Sequence, residues 1–295
     1  MTTQTKIEVQ KPGSTFRRRN LFGNVPYYTI LAIWALITMI VFAWVIENSF
    51  KTNREIFKNP WKLPATPLTA AVDNYTKAWE VSHMQVYFMN SILVVLASVL
   101  IVVAVSAPAA YVLSRVPFFG NSAITYYFIA GMGLPFQLIL VPLFVMLNKM
   151  HLVNTLPGLI MVYVGVSIPF TVLLLTGFFK TLPVELEDAA AIDGCTDFGI
   201  FWKVMMPLAS PGLITAAIFN FISIWNEYLL ALLLINSDKL RTLPLGVMNI
   251  RYSMQYTADW TALFAAVVIV IIPNFLLYAL MSDRIMSGLT LGVGK

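Results

Sequence analysis

The run ELEDAAAIDGCTDFGIFWKVMMPLASP, from Glu185 to Pro211, is polar and patterned as helix, yet it lies between long apolar stretches. Pro183 suits a first helical turn, where its missing N–H is no loss. Glu185, Glu187 and Asp188 then set negative charge near the positive end of the helix dipole. Gly194 can take the left-handed conformation that ends a helix and turns the chain. Thr196 or Asp197 can cap a second helix, in which Phe198, Phe201, Trp202 and Met205 recur at helical spacing until Pro207 closes the run. The stretch therefore reads as two short helices with an apolar stripe that needs a partner. That partner is a separate protein docked on the loop, the lipid surface, or the chain's own bundle.

Composition says where such a loop lives. With 59% hydrophobic and 11% charged residues and a mean hydropathy of +0.78, the chain has too little polar surface to cover a soluble globule. A membrane-spanning helix takes roughly 20 apolar residues. Six windows qualify, at residues 27–47, 87–113, 122–148, 156–179, 212–236 and 261–281. The alternation an outer-membrane barrel requires is not seen, so the expected fold is an all-α integral membrane protein with six transmembrane helices. Its parts are a basic segment at 1–26, a six-helix domain at 27–281 that includes the loop at 180–211, and a tail at 282–295.

Six spans put both termini on one side. Lys6, Lys11, Arg17, Arg18 and Arg19 against the single acid Glu8 make that side cytoplasmic by the positive-inside rule. The bias is weaker elsewhere, because the first external loop holds Lys51, Arg54, Lys58, Lys62 and Lys77. The formal charge of +5 reads as topology and not as nucleic-acid binding, since no soluble basic domain carries it. Arg17 to Arg19 before an apolar run imitates a signal peptide, but the run is too long and no A-x-A site follows.

Other chemistry is thin. Cys195 is the single cysteine, which excludes an internal disulfide and a cysteine-cluster metal site. His83 and His151 fall in separate predicted loops and read as surface residues. Asn74-Tyr75-Thr76 matches a glycosylation acceptor, a pattern of little weight at three residues. No Walker-type G-x-x-x-x-G-K-[ST], triad or paired-carboxylate constellation stands out, which argues against an enzyme and against ATP binding by this chain.

Glu227 is the one ionisable residue well inside an apolar window, where a charge costs a few kcal/mol unless paired or hydrated. On a continuous fifth helix Asn220, Ser223 and Glu227 share one stripe, while Trp225 and Asn226 point elsewhere. The stripe lines a translocation path or a hinge, or else it is polar glue between helices. Gly131, Gly133, Pro135 and Pro142 interrupt the third span, Pro169 the fourth and Pro273 the sixth, with Gln137 and Asn274 close to two of these positions. They are bending points or static kinks. Two connections, Glu47–Gln85 with Trp61, Tyr75 and Trp79, and 237–260 with Arg241, Arg251, Tyr252, Tyr256 and Trp260, either meet a solute receptor or cap their own helix ends.

The loop spacing also resembles a known pattern. Asp188-Ala189-Ala190 precede Gly194, and Val204, Met206 and Pro207 follow it at the spacing of the EAA loop of ABC importer permeases, with Asp in place of Glu, Val in place of Ile and Met in place of Leu. From about Asn90 onward, NSILVV, AAYVLSR from Ala109, LPFQLILVPLF from Leu134, NTLPGLI from Asn154, WNEYLLAL from Trp225 and SGLTLGVGK from Ser287 resemble the maltose-type, carbohydrate-importing branch. That resemblance covers two thirds to three quarters of the chain. It implies a cytoplasmic two-helix coupling loop whose contact with an ATPase is carried by Glu187, Asp188, Ala189, Ala190, Gly194, Phe198, Phe201, Trp202 and Pro207. Asp188, or the adjacent Glu187, takes the part of the motif's Glu and pairs with a basic residue of the ATPase. Asn220, Ser223, Glu227 and Gln137 are the candidates for the translocation path.

What the resemblance implies is a permease subunit of an ATP-driven sugar importer in a bacterial inner membrane. Its expected partners are a second permease, usually a different chain, two copies of a cytoplasmic ATPase that bind ATP and Mg, an external solute-binding protein, and lipid. No cofactor, metal or nucleic acid is expected on this chain. Permeases for glycerol phosphate, glycerol phosphodiesters or peptides, and an ion-coupled transporter working alone, are the alternatives. A second set of intramembrane charges or an internal repeat would favour the last.

Overall fold

A computed structural model of the protein describes residues 25–133 and 135–292, without the side chains of Phe136, 253–257 and 283–292. The basic segment carrying Lys6 to Arg19 and the end of the SGLTLGVGK tail lie outside the described residues. All regular structure in the described part is helical. The chain divides into two units, residues 1–44 and 45–295.

Helix α1, Val25–Ser49, joins the first unit to the second and is apolar around its whole circumference, so that no face is set aside for water. In the second unit the elements are α2 (Asn53–Lys58), α3 (Pro67–Thr76), α4 (Met84–Arg115), α5 (Asn121–Gly133), α6 (Leu140–Lys149), α7 (Leu156–Thr181), α8 (Glu185–Ile192), α9 (Asp197–Ile200), α10 (Met206–Leu208), α11 (Ser210–Trp225), α12 (Leu229–Leu234), α13 (Leu243–Thr257) and α14 (Trp260–Gly292). Four helices, α1, α4, α7 and α14, are long and apolar enough to cross a membrane.

The third and fifth predicted spans differ from straight helices. The third is α5 and α6 meeting at 89° around Pro135, whose ring cannot continue the helix, with Gln137 in a 3-10 turn between them. Pro142, by contrast, sits in the first turn of α6 and breaks nothing. Prolines 169 and 273 stand inside continuous helices, as does Pro108 of α4. The fifth window, 212–236, is α11, then a break at Asn226 to Tyr228, then the short α12. Upstream, the stretch 197–208 joins α11 at 70°. Each bent pair counted as one span brings the total to six.

Helices α4 and α7 form the most extensive pair, and two apolar clusters lie along them. One gathers the first half of α4 (Met84, Tyr87, Val94, Val95) with Leu159 and Tyr163 of α7, Trp225, Leu230 and Leu243. The other gathers the last turns of α4 and α7 (Ala107, Ala110, Leu113, Val172, Leu175, Phe179) with Ala190, Ile200, Phe201 and Met205. The Glu185–Pro211 stretch is therefore partly built into the bundle.

The connection after α1 is ordered by polar groups that would otherwise be orphaned. Buried Lys51 pairs with Glu47 at 2.8 Å and donates to the Pro60 carbonyl at 2.8 Å. Thr52 and Glu55 form a reciprocal capping box at the start of α2. These bonds draw the Glu55 carboxyl below its ordinary 4.5. Asn74 donates to the carbonyls of Ser49 and Lys51 from a buried position, so the acceptor-like triplet is spent on packing and not presented for glycosylation. The second connection, expected as a loop, contains the helix α13.

Two expectations follow. A Cβ on Gly246 would stand 2.1 Å from Cδ2 and 2.9 Å from Cγ of Tyr87, a buried ring whose hydroxyl donates to Asp238 at 2.9 Å. Gly246→Ala should thus cost about 1–3 kcal/mol by overpacking, read as a lower unfolding midpoint in detergent. Asp259, just ahead of α14, is half buried, which alone raises its pKa. Bonds from Thr261 (2.7 Å), Asn53 (3.0 Å) and the Ala262 N–H (3.2 Å) outweigh that and hold it below the ordinary 3.8. A depressed carboxyl stabilises above its unfolded pKa and stops doing so as pH falls through the folded one. The midpoint gap between wild type and Asp259→Ala should accordingly persist at pH 3.8 and close only below it.

Candidate functional site

Helix α8 ends as the sequence requires. Gly194 stands at φ +82°, its N–H donates to the Ala191 carbonyl at 3.0 Å, and the Cys195 N–H donates to the Ala190 carbonyl at 3.0 Å. That pair of bonds is the Schellman arrangement, and Cys195 packs with the buried Ala190 beneath it. Thr196 then caps α9, its hydroxyl accepting from the Gly199 N–H at 3.2 Å.

The expected apolar stripe of the second helix splits in two. Phe201 is 6% exposed and Met205 fully buried, whereas Phe198 is 74% and Trp202 49% exposed. Residues Phe201–Met205 form a π-turn, whose wider winding sets Phe201 and Met205 against the bundle and leaves Phe198 and Trp202 outside. Phe201 lies 5.1 Å from the ring of Tyr111 on α4. It fills the chain's own core and not a partner's cleft, contrary to the expectation for that residue. Phe198, Trp202 and Ile192 make an exposed apolar patch beside the turn, with the exposed Ala189 and Pro207 near its ends.

The two acids also part company. Glu187 pairs with the Nε of Arg115 at 3.1 Å and accepts from the Tyr111 hydroxyl at 3.3 Å. Arg115 in turn donates through Nη2 to the Phe179 carbonyl at 2.6 Å and to the Leu182 carbonyl. Asp188, one residue on, is exposed. Arg115 and Tyr111 were not singled out from sequence as site residues, although both lie in the AAYVLSR segment. Their partners are 64 to 76 positions away, and only the fold brings them together.

The polar stripe proposed for the fifth span is not formed. Asn220 is buried, donating to Thr171 Oγ1 at 2.9 Å and to the Ala216 carbonyl at 2.8 Å. Glu227 follows the end of α11. Its carboxylate accepts from the Leu230 N–H at 2.7 Å, the Ala231 N–H at 3.2 Å and the Tyr163 hydroxyl at 2.8 Å. It caps α12 and ties it to α7, the glue alternative. The exposed polar residues here are Ser223 of α11 and Asn226 just past its end, and Asn274 of α14 donates to Asn226 Oδ1 at 3.0 Å. Gln137 is exposed in its turn, remote in sequence from these. A separate apolar cavity of about 790 Å³ lies among α5, α6 and α7, lined by Met132, Met146, Met150, Met161 and Phe170.

Among the described residues no cluster of three or more His, Cys, Asp or Glu is placed to hold a metal ion.

These features recur in known proteins. The family model described as "Binding-protein-dependent transport system inner membrane component" matches residues 103–282, a segment that contains the whole Glu185–Pro211 loop and the Arg115 junction. The chain is 38% identical over 265 residues to the diacetylchitobiose uptake system permease protein NgcG of Streptomyces coelicolor, covering 90% of this chain and 87% of that one. It is 34% identical over 292 residues to the probable starch degradation products transport system permease protein AmyC of Thermoanaerobacterium thermosulfurigenes, covering 98% and 99%. The fold is similar to a chain in the crystal structure of a bacterial ABC transporter involved in the import of the acidic polysaccharide alginate, with a TM-score of 0.77 over 91% of this chain and 98% of that one at 20% identity. An all-helical bundle with a capped two-helix loop fits the membrane component of a transport system, and the chain belongs to the family of binding-protein-dependent transport system inner membrane components.

Proposed function

We propose that the protein is a permease subunit of an ATP-driven importer for neutral sugars or oligosaccharides, in which the Glu185–Pro211 loop lies on the cytoplasmic side and docks the ATPase. The observation that carries the docking reading is the division of the loop into two faces. Ala190, Ile200, Phe201 and Met205 hold it to the bundle, while Asp188, Ile192, Phe198 and Trp202 are left without cover on the other side. Large aromatics beside a charge are what a protein interface concentrates its energy in. Because Glu187 is bound within the chain, Asp188 is the acid offered to a basic residue of the ATPase. ATP and Mg bind that partner, of which two copies serve a pair of permeases, this chain and a second, different one.

The sugar assignment rests on the names of the relatives, which act on diacetylchitobiose and on starch degradation products. A neutral solute also agrees with the long apolar stretches Val25–Ser49, Met84–Arg115, Leu156–Thr181 and Trp260–Ser282, in which Arg115 and Lys180 stand at the ends. The path is assigned to the exposed Ser223, Asn226 and Gln137, together with the half-buried Asn274 bonded to Asn226.

The test is purification of the tagged chain in mild detergent with identification of what accompanies it. A Walker-containing ATPase, a second permease and a solute-binding protein are expected, and the binding protein should bind diacetylchitobiose or malto-oligosaccharides in calorimetry. A chain that purifies without an ATPase in several detergents, with uptake that collapses with an ion gradient, would overturn the reading. A binding protein that takes glycerol phosphate or a peptide would overturn the sugar assignment alone.

Variants separate the two faces of the loop. Asp188→Lys or Phe198→Ser should weaken ATPase retention by about thirtyfold, the effect of losing a contact worth about 2 kcal/mol, with the unfolding midpoint unchanged. Phe201→Ala should instead destabilise the chain by about 3 kcal/mol.

A further inference from the structure

The last turn of α4 holds both halves of the loop and the end of α7 at one point. Arg115 forms the polar part: Nε faces Glu187 Oε1 at 3.1 Å, and Nη2 donates to the Leu182 carbonyl and to that of Phe179, which also accepts from the Leu182 N–H at 3.2 Å. Its side chain is 10% exposed and that of Glu187 17%, so salt and water screen the pair little. Tyr111, one turn earlier on the same face, donates to the other carboxylate oxygen and packs its ring 5.6 Å from Phe179 and 5.1 Å from Phe201. The remaining contacts of the loop with the bundle are apolar, through Ala190, Ile200, Met205 and Ala209. Apolar contacts resist separation but allow sliding, because they have no direction. The Arg115 guanidinium adds an ion pair to Glu187 and two directional bonds from Nη2 to backbone carbonyls, and those bonds fix position and angle together.

Resting on the docking reading of the loop, we propose that Arg115, seconded by Tyr111, is a positioning residue that makes α8, the end of α7 and the end of α4 move as one body. Displacement of the loop by its ATPase is then delivered to both long helices at once. Arg115 is bonded to Glu187, Phe179 and Leu182, within the bundle, so the role proposed for it is transmission and not attachment. Lysine, a point charge with no planar fork, cannot span the three acceptors in the same geometry.

The experiment uses the assembled importer with its solute-binding protein, and reads ATPase retention, basal hydrolysis, and the factor by which the binding protein stimulates hydrolysis. Arg115→Gln is expected to retain the ATPase in wild-type amount and to lose about tenfold of the stimulation, the size of a typical coupling between sites. Arg115→Lys should recover part of it. Tyr111→Phe, which keeps the ring contacts, should lose a smaller share. Stimulation unchanged in Arg115→Gln, or loss of the ATPase from that variant, overturns the proposal. Where Arg115→Gln fails to accumulate in the membrane, Tyr111→Phe decides it, and wild-type stimulation in that variant overturns the proposal. A wild-type chain that carries no ATPase overturns the docking reading, a result distinct from a coupled wild type with coupled variants.

Discussion

A charge or a backbone polar group withdrawn from water must bring its partners with it, and in a chain this apolar the requirement decides most of the local structure. Leaving one such group unpaired costs several kcal/mol where no water can replace the bond. The described chain meets that demand at three helix ends. Lys51 is met by Glu47 and the Pro60 carbonyl where α1 ends. Glu227 is met by two N–H groups and a tyrosine where α11 gives way to α12. Arg115 is met by two carbonyls and Glu187 where α4 and α7 end. Glu227 caps the start of α12 and Arg115 bonds carbonyls at the end of α7, whereas the break at Pro135 carries no charge.

That pairing explains which parts of the fold were legible. Spans α1, α4, α7 and α14 follow from apolar length alone, and the helix caps at Gly194 and Thr196 follow from the conformations those residue types allow. Apolar length does not give direction, which is why the fifth span read as one continuous helix and is broken at Asn226 to Tyr228, whereas the breakers in the third were read as bending points or static kinks. Pro135 announced the first bend. Glu227 announced the second only if its carboxylate is understood as the acceptor for N–H groups that a new helix start exposes. Read as a residue of one continuous helix, it joined Asn220 and Ser223 on a stripe, and the break removes that stripe.

The loop shows a similar limit at finer scale. Helical spacing places Phe198, Phe201, Trp202 and Met205 on one side of an ideal α-helix, yet five residues of π-turn divide them between the bundle and the surface. Local widening by one residue per turn is enough to reassign a side chain, and nothing in the pattern FGIFWKVMM signals it. The two adjacent acids, Glu187 and Asp188, are likewise indistinguishable by type. Arg115, distant in sequence, distinguishes them by taking one.

The burial pattern bears on how force passes through such a loop. A segment that only rested on the bundle would yield when a partner pulled it, and one buried entirely would offer nothing to hold. Here exposed and anchored residues stand side by side: Asp188 beside Glu187, Phe198 and Trp202 around Phe201. Adjacent residues on a short helix are separated by only a few ångströms, so a load applied at the outer face reaches the anchored side chain with little backbone between to bend. The anchors converge on the final turn of α4, and α4 with α7 forms the most extensive helix pair. Under the proposed coupling, movement imposed at that turn would be resisted along both helices and would shift them together.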